Sequence, residues 1–210
     1  MPLQRSGSSP RVSVFCASGF GRKPTYIDLA DQLGRRMAER GVPLVYGGGR
    51  VGLMGTVANA SMNAGGEVIG VIPQQLVDVE AAHHGVTELV VTSSMHERKA
   101  KMAELSHGCI ALPGGYGTFE EVFEILTWNQ LGLVAMPVVF LDVDSDGDSF
   151  WSGLAAFLDT AAQTELLRPQ YRGLARFVSS VDEAIDLAIG APPAIEPKWA
   201  QLEVADDARN

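Results

Sequence analysis

Cysteine and long apolar runs are scarce in this chain. Only two of its 210 residues are cysteines, and Cys16 and Cys109 form neither a CxxC pair nor a dense disulfide framework. This usage excludes a metal-thiolate centre and is typical of reduced, buried thiols in the cytoplasm. Glycine or a charged residue interrupts every apolar stretch before the roughly 18 residues that a bilayer requires, and residues 1–10 lack the apolar core of a signal peptide. We therefore expect a cytoplasmic protein without a membrane partner.

Positive charge is scarce as well. The 16 Lys and Arg residues are outnumbered by 25 Asp and Glu, which gives a formal net charge of −9. Binding to nucleic acid depends on basic side chains that neutralise phosphates, so DNA and RNA are not expected partners. Hydrophobic residues make up 46% of the chain, which suits one well-cored α/β domain. We expect this domain at 11–190, between a loose tail at 1–10 and a Pro-rich tail at 191–210.

Short β-branched segments alternate with longer helical patterns, which predicts a doubly wound parallel sheet of the Rossmann-like α/β class. The predicted strands are 12–16, 43–46, 67–72, 88–91, 109–112, 137–141 and 176–178. The predicted helices are 25–40, 52–64, 94–106, 118–131, 150–164 and 181–189. Ligands of such sheets bind at the carboxyl ends of the strands, and three of the predicted strands are followed by glycine-rich turns.

The run PGGYGTFEE at residues 113–121 carries the strongest functional signal. It leaves an apolar strand, turns through Gly114, Gly115 and Gly117, and enters a helix predicted to begin at Thr118. Glycines let backbone N–H groups converge on a phosphate, and a helix N-terminus adds unpaired amides and the positive end of its dipole. The run therefore predicts an anion site, in the first place for a nucleotide.

Two interpretations of Glu121 are open. Thr118 and Glu121 fit the Thr-x-x-Glu capping box, in which the carboxylate caps the helix. Catalysis is equally compatible, because an ionised carboxylate stabilises the oxocarbenium-like state of N-glycosidic hydrolysis and orients water.

Another helix is predicted to begin in the segment SMHERK at 94–99. Ser94 and Glu97 form a possible capping box, so a structural role is expected for Glu97. Arg98 and Lys99 lie on or beside the inward apolar stripe and in the first turn, where the helix dipole disfavours cations. An anionic ligand accounts for both features. The alternative is a pair of side chains whose charged ends reach solvent.

Two further patterns match known sites incompletely. Residues 47–52 satisfy GxGxxG, but the acidic residue about 20 positions on, Glu67, would begin a strand, whereas the ribose-binding acid of a dinucleotide fold ends one. We expect Gly48 and its neighbours to face the same crevice as the PGGYGT turn. Residues 142–148 resemble half of an EF-hand loop, yet position twelve is Gly153, so a solvated acidic turn is expected and no metal.

Three segments together resemble the LONELY GUY (LOG) family of cytokinin-activating enzymes, often labelled lysine decarboxylase-like. They are YGGG followed by GLMG at 46–55, MHERK at 95–99 and PGGYGTFEE at 113–121, and the resemblance covers about residues 11–190. It implies a phosphoribohydrolase that cleaves adenosine 5′-monophosphates, N6-modified or not, to the free base and ribose 5-phosphate without a cofactor. It also implies a homodimer with active sites near the interface.

Site residues follow from the resemblance by position. The catalytic glutamate of the family falls on Glu121, and its Arg-Lys pair falls on Arg98 and Lys99. The phosphate contacts of the family fall on four residues of the PGGYGT turn, which are Gly114, Gly115, Gly117 and Thr118. Its other substrate contacts fall on Ser18, Glu80 and Thr127. His83 and His84 follow Glu80, and their influence on the choice of N6 substituent is open.

Two other functions compete with hydrolysis. Decarboxylation with pyridoxal phosphate needs a lysine that forms a Schiff base. Two of the four lysines are unsuited by their position, since Lys23 lies in a loop and Lys198 in the tail. The other two, Lys99 and Lys101, lie beside an arginine and have no evident partner for the pyridinium nitrogen. A nucleotide-binding or carrier module without hydrolytic activity is the second alternative, because fold alone does not define function.

Apolar residues spread over more than one face of the helix at 119–133, and one face of a domain cannot bury them all. This pattern predicts a homodimer. The residues are Val122, Phe123, Ile125, Leu126, Trp128, Leu131 and Leu133.

Overall fold

The computed structural model describes residues 9–77, 82–142 and 149–192, together with 194 and 196. Seven strands in this part of the chain form one parallel sheet: β1 Val12–Phe15, β2 Leu44–Tyr46, β3 Val68–Pro73, β4 Glu88–Thr92, β5 Gly108–Ala111, β6 Val138–Leu141 and β7 Ala175–Val178. The helices are α1 Pro24–Glu39, α2 Gly52–Asn63, α3 Met95–Leu105, α4 Tyr116–Gln130, α5 Ser152–Gln163, α6 Pro169–Arg172 and α7 Val181–Ile189, with a 3-10 turn at Gln74–Leu76. The predicted Rossmann-like α/β class is confirmed.

Every predicted strand and helix is present, with ends within two residues of those expected. The four-residue α6 and the 3-10 turn were not predicted, because elements this short carry no helical periodicity. Pro169 at the first position of α6 was the available signal, since proline favours the first turn of a helix. The tails predicted at 1–10 and 191–210 lie mainly outside the described residues.

The strand order is β4-β3-β2-β1-β5-β6-β7, so β1 lies between the two halves of the sheet. Val12 of β1 pairs with Leu44 of β2 on one side and with Gly108 of β5 on the other. The chain moves outward from β1 in one direction through β4 and then returns to the other side with β5. The loops that follow β1 and β5 therefore diverge and open a crevice at the carboxyl edge of the sheet.

Helices cover both faces of the sheet, and the strands are therefore apolar almost throughout. Neighbouring residues of β1 show the two layers: Val14 packs in the cluster that includes α1, α2 and α7, and Phe15 packs in the cluster that includes α3, α4 and α5. None of the helices within the described ranges has both the length and the apolar composition needed to cross a bilayer.

Helices α1 and α2 approach each other closely at a glycine. A Cβ atom at Gly34 would lie 2.2 Å from the carbonyl oxygen of Val57 and 3.0 Å from the Cβ of Ala60. The first of these neighbours is backbone and cannot rotate away, so the side-chain-free position at Gly34 sets the spacing of the two helices.

We predict that Gly34→Ala destabilises the protein. Overpacking costs about 1–3 kcal/mol, which exceeds the gain of about 1 kcal/mol from replacing a helical glycine by alanine. Gly153→Ala in α5 is the matched control, because a Cβ there meets no atom within 4 Å and only the favourable propensity change remains. Urea unfolding of both variants measures the difference, and equal stabilities would contradict the packing argument.

Candidate active site

A cleft of about 330 Å³ opens where the loops after β1 and β5 diverge. Its walls come from the β1–α1 loop, α2, α3 and the first two turns of α4. Cavities of roughly 300–1,000 Å³ suit small-molecule ligands, and in open α/β sheets such ligands bind at this position. The cleft contains most of the residues that the sequence singled out.

The anion site predicted from the PGGYGT turn lies at the N-terminus of α4. Phe119 makes the first intrahelical bond there, from its N–H to the carbonyl of Gly115 at 3.0 Å. Helix geometry leaves the N–H groups of Tyr116, Gly117 and Thr118, which precede this bond, without an intrahelical acceptor. A Cβ atom at Gly115 or Gly117 would meet no atom within 4 Å, so the backbone is open beside both glycines. These amides and the helix dipole can bind a phosphate.

The predicted capping box of Thr118 and Glu121 is wrong. The helix begins two residues earlier than expected, with Gly115 as an extended N-cap (φ −105°, ψ −153°), so Thr118 is the third helical residue and Glu121 the sixth. Thr118 is buried and packs against Gly114, where a Cβ atom would lie 2.1 Å from its Oγ1. Because the helix does not need Glu121 as a cap, the interpretation of Glu121 as a functional carboxylate gains weight.

Arg98 lies opposite Glu121 and is held by backbone carbonyls. Its Nε donates to the carbonyl of Val71 at 3.1 Å and its Nη2 to that of Gly47 at 3.2 Å. Its Nη1 lies 3.7 Å from Oε1 of Glu121, and only 6% and 11% of the two side chains is exposed. A guanidinium keeps its charge at any physiological pH, so its burial requires such partners.

The loop at 47–52 supports Arg98. A Cβ atom at Gly47 would lie 2.2 Å from Nη2 of Arg98, so a side chain there would displace the guanidinium. The second and third amides of the α2 helix that follows are already bonded within the protein: Leu53 N–H donates to Gly19 O at 3.2 Å and Met54 N–H to Ala17 O at 3.4 Å. The resemblance to GxGxxG therefore reflects a close approach of backbone and arginine.

Gly48 of this loop faces the sheet. It has a positive φ of 78°, and a Cβ atom there would lie 3.0 Å from the Cβ of Ile72 in β3. The backbone at Gly48 was expected to face the crevice, but it packs against β3. The positive φ explains why this position is glycine.

Lys99 forms a second ion pair between α3 and α4. Its Nζ contacts carboxylate oxygens of Glu120 and of Glu124, the latter at 3.1 Å. Burial disfavours the charged ammonium, but the hydrogen bonds and charges of the two glutamates outweigh this effect and raise the pKa of Lys99. Arg98 and Lys99 are both buried, so the alternative of two charged ends in solvent is wrong. The i,i+4 spacing of the two glutamates was the signal that would have identified the partners of Lys99.

Cys16 lines the cleft beside Glu121. Burial, and to a smaller extent the negative charge of Glu121, raises the pKa of the Cys16 thiol far above its ordinary value. The thiolate is the nucleophilic form of cysteine, and this environment suppresses it. Nucleophilic catalysis by Cys16 is therefore disfavoured, although sequence analysis had treated the residue only as part of the core.

The other predicted residues divide between the cleft and distant positions. Ser18 lines the cleft, and its carbonyl lies where a Cβ atom of Gly52 would clash at 2.2 Å. Thr127 lies six residues beyond Glu121 on α4, about 1.7 helical turns past the cleft, where its Oγ1 donates to Phe123 O at 2.7 Å. Glu80 lies outside the described residues, as do residues 143–148 of the acidic loop.

The capping role expected for Glu97 is confirmed. Ser94 is the N-cap of α3 and its Oγ accepts from Glu97 N–H at 3.2 Å. The Glu97 carboxylate accepts from the backbone N–H of Ser93 at 2.7 Å, one residue before the cap. Hydrogen bonds from Ser93 lower the pKa of Glu97, which keeps the cap ionised.

Fold and cleft together define a doubly wound α/β protein with an open helix N-terminus and a buried arginine-glutamate pair at its switch point. In proteins of this architecture, phosphorylated small molecules often bind at such helix N-termini. Residues 54–188 match the family model described as "Possible lysine decarboxylase". The chain belongs to this family, which includes the LONELY GUY (LOG) enzymes.

Two relatives illustrate the similarity. The probable cytokinin riboside 5′-monophosphate phosphoribohydrolase LOGL9 of Oryza sativa subsp. japonica is 49% identical over 172 residues, which are 82% of this chain and 73% of the relative. The cytokinin riboside 5′-monophosphate phosphoribohydrolase of Rhodococcoides fascians is 46% identical over 182 residues, 86% of this chain and 89% of the relative.

Solved structures share the fold at lower identity. The molybdenum cofactor binding protein of Rippkaea orientalis has a TM-score of 0.63 at 25% identity, over 87% of this chain and 96% of that one. The Moco carrier protein of Chlamydomonas reinhardtii has a TM-score of 0.63 at 22% identity, over 95% of this chain and 99% of that one.

We predict that Gly47→Ala leaves the fold intact but lowers stability, because the new Cβ displaces the end of a flexible side chain and removes a hydrogen bond from a buried charge. Hydrogen bonds to charged groups contribute about 1.5–3 kcal/mol, which sets the expected loss. Gly19→Ala, which lines the cleft and has no atom within 4 Å of the added Cβ, is the control. Chemical denaturation compares the two variants, and a Gly47→Ala protein as stable as the control would contradict the proposed support of Arg98 by the Gly47 backbone.

Proposed function

We propose that this protein hydrolyses the N-glycosidic bond of adenosine 5′-monophosphates, both N6-modified nucleotides and AMP, to the free base and ribose 5-phosphate. This proposal rests mainly on the buried pair of Arg98 and Glu121 beside the open N-terminus of α4. Curated relatives at 43–49% identity are named as phosphoribohydrolases, which supports the same reaction for this chain.

In the proposed complex, α4 supplies both the phosphate anchor and the carboxylate. The 5′-phosphate binds the amides of the turn at Gly114, Gly115, Gly117 and Thr118. Glu121 lies four residues after Gly117 and three after Thr118, on the same helix face and roughly 6 Å along the axis from Gly117. A ribose whose phosphate is bound at the helix end therefore extends toward Glu121. Binding energy from the phosphate positions the scissile bond.

Glu121 acts on the anomeric carbon in this mechanism. Its ionised carboxylate stabilises the positive charge that develops as the bond from C1′ to the base nitrogen breaks, and it accepts a proton from the water whose oxygen bonds to C1′. No side chain is assigned as the acid for the departing base, which either takes a proton from water or leaves already protonated at a ring nitrogen. Arg98 holds Glu121 in place, and its rigid anchoring avoids reorganisation during the reaction. Lys99 supports the same α3–α4 contact through Glu120 and Glu124 and does not line the cleft, so the anion-site role that the resemblance implies for it is not part of this mechanism.

Lysine decarboxylation finds less support. A lysine that forms a Schiff base is activated by a lowered pKa, whereas the pKa of Lys99 is raised by its two glutamate partners. Within the described ranges, the lining of the cleft includes no lysine. These properties disfavour pyridoxal phosphate chemistry at this site.

A non-hydrolytic carrier is the second candidate. Its specific support is the shared fold with proteins named as molybdenum cofactor binding and carrier proteins. Identity to them is 22–25%, well below that to the phosphoribohydrolases. Chromatographic detection of adenine released from AMP, beside base release from an isopentenyl-adenosine monophosphate, separates the two functions, since a carrier binds without releasing base.

We predict that Glu121→Gln lowers turnover of AMP by about a hundredfold or more, the scale of losing a general base. Stability should also fall, by up to about 3–5 kcal/mol, because the neutral amide keeps the shape of the side chain but no longer compensates the buried charge of Arg98. Glu120→Gln is the matched control: it neutralises the adjacent carboxylate, which faces Lys99 and is 54% exposed. Hydrolysis assays and thermal melts measure both effects, and retained turnover in Glu121→Gln would exclude the catalytic role.

Assembly into a homodimer is part of the proposal. Of the apolar residues on and after α4, Val122 and Ile125 are buried, whereas Phe123 is 36% and Leu133 is 65% exposed. These exposed side chains support a partner surface along and after α4, and a residue of the second copy would complete the site.

We predict a dimer by light scattering, and weaker dimerisation in Leu133→Glu. The charge would be buried in the interface without a partner, at a cost that shifts the equilibrium toward monomer. Val91→Glu on the edge strand β4, where the side chain is 47% exposed, is the control and should stay dimeric. A monomeric parent would contradict the assembly.

We propose a cytoplasmic location, which the two buried, free cysteines support. We also propose that residues 11–190 act as one domain, because one sheet connects the elements from Val12 to Ile189.

A further inference from the structure

Residues 82–85 are bound to the glycine loop that supports Arg98. Ala82 and Gly49 form an isolated antiparallel bridge, and the backbone N–H of His83 donates to Gly48 O at 2.9 Å. The neighbouring carbonyl, that of Gly47, accepts from Arg98 at 3.2 Å. The backbone of His83 is therefore attached one peptide unit away from an anchor of the guanidinium.

The ring of His83 fixes this segment to α2. Its Nε2 lies 2.9 Å from Oδ1 of Asn59, and its Nδ1 accepts from the N–H of Gly85 at 3.2 Å. Since Nδ1 accepts, the proton of the neutral ring lies on Nε2 and is donated to Asn59. Both ring nitrogens are thus used, and the imidazole joins the segment at 82–85 to a helix that is itself packed against the sheet.

We propose that His83 is a positioning residue for the Arg98–Glu121 pair: through Gly48 it holds the Gly47 carbonyl where it anchors the guanidinium. Gly48 has a positive φ and packs against Ile72, so the loop has little freedom to compensate if this attachment is lost. His83 touches neither Arg98 nor the reacting atoms, and its effect is on geometry alone. The inference rests on the proposed hydrolytic function.

Protonation of His83 opposes this geometry. A proton on Nδ1 would face the N–H of Gly85, and the hydrogen bond between them would break. Burial lowers the pKa of His83, its own backbone opposes this effect, and the nearby charges of Arg50 and His84 lower the pKa further. Because the folded-state pKa lies below the unfolded value of about 6.5, the neutral attachment is complete above that pH and is lost as the pH falls through the lowered pKa.

The test compares His83→Ala, His83→Gln and the control His84→Ala, a change at the exposed neighbouring histidine. We expect His83→Ala to lower kcat for AMP about tenfold with KM within about twofold, since catalytic geometry is lost while the phosphate anchor remains. His83→Gln keeps a donor for Asn59 but does not titrate, so it should recover much of kcat and lose the acid inflection of His83 from the pH profile. His84→Ala should behave as the parent.

A second readout is independent of hydrolysis. The NMR resonance of the Arg98 Nε–H group should shift in His83→Ala, and in the parent on acidification, but not in His84→Ala. If the parent releases no adenine, the proposed function fails, and the Arg98 resonance alone then decides the positioning role. If the parent is active, either a parental kcat in His83→Ala or an unmoved Arg98 resonance overturns the inference.

Discussion

The buried guanidinium of Arg98 is the constraint on which the site depends. An arginine cannot discard its charge, so the protein must surround it with acceptors or lose several kcal/mol, on the order of the penalty for an uncompensated buried ion. Two carbonyls and one carboxylate meet this requirement, and they come from the end of β3, the loop after β2 and the helix α4. One side chain of α3 thereby fixes the relative positions of three elements around the cleft.

The two glycine-rich loops have different physical purposes despite similar sequences. In the loop after β2, glycine makes room for a protein side chain, and the second and third amides of α2 bond to the β1–α1 loop. In the loop after β5, glycine leaves open backbone at the start of α4, where helix geometry provides amides for an anion. A glycine pattern alone does not distinguish a loop that binds phosphate from one that accommodates an arginine.

The sequence predicted the fold almost completely, because alternation of apolar strands and amphipathic helices is a local signal that each segment carries by itself. It also identified Arg98 and Glu121, since a charge on an inward stripe and a carboxylate after a glycine turn are visible in the chain. It did not predict that the helix begins at Tyr116, because a glycine N-cap leaves no side-chain signature, and the capping interpretation of Glu121 failed for that reason. The sequence also did not predict that Gly47 O anchors Arg98, because this contact joins residues 51 positions apart through a backbone atom.

Placing the anchor and the carboxylate on one helix has a consequence for selectivity. The rise of an α-helix is fixed by its hydrogen bonds, so the span between the amides at Gly117 and the carboxylate of Glu121 cannot adapt to ligands of different length. In the proposed reaction, α4 thus fixes the distance between the bound phosphate and the catalytic carboxylate. A nucleoside would lack the phosphate that binds the amides at Gly117. A diphosphate bound there through its terminal phosphate would place its sugar too far along the cleft for Glu121 to reach the anomeric carbon. Discrimination among phosphorylation states would then come from the backbone, which leaves the rest of the cleft free to diverge in the bases it admits.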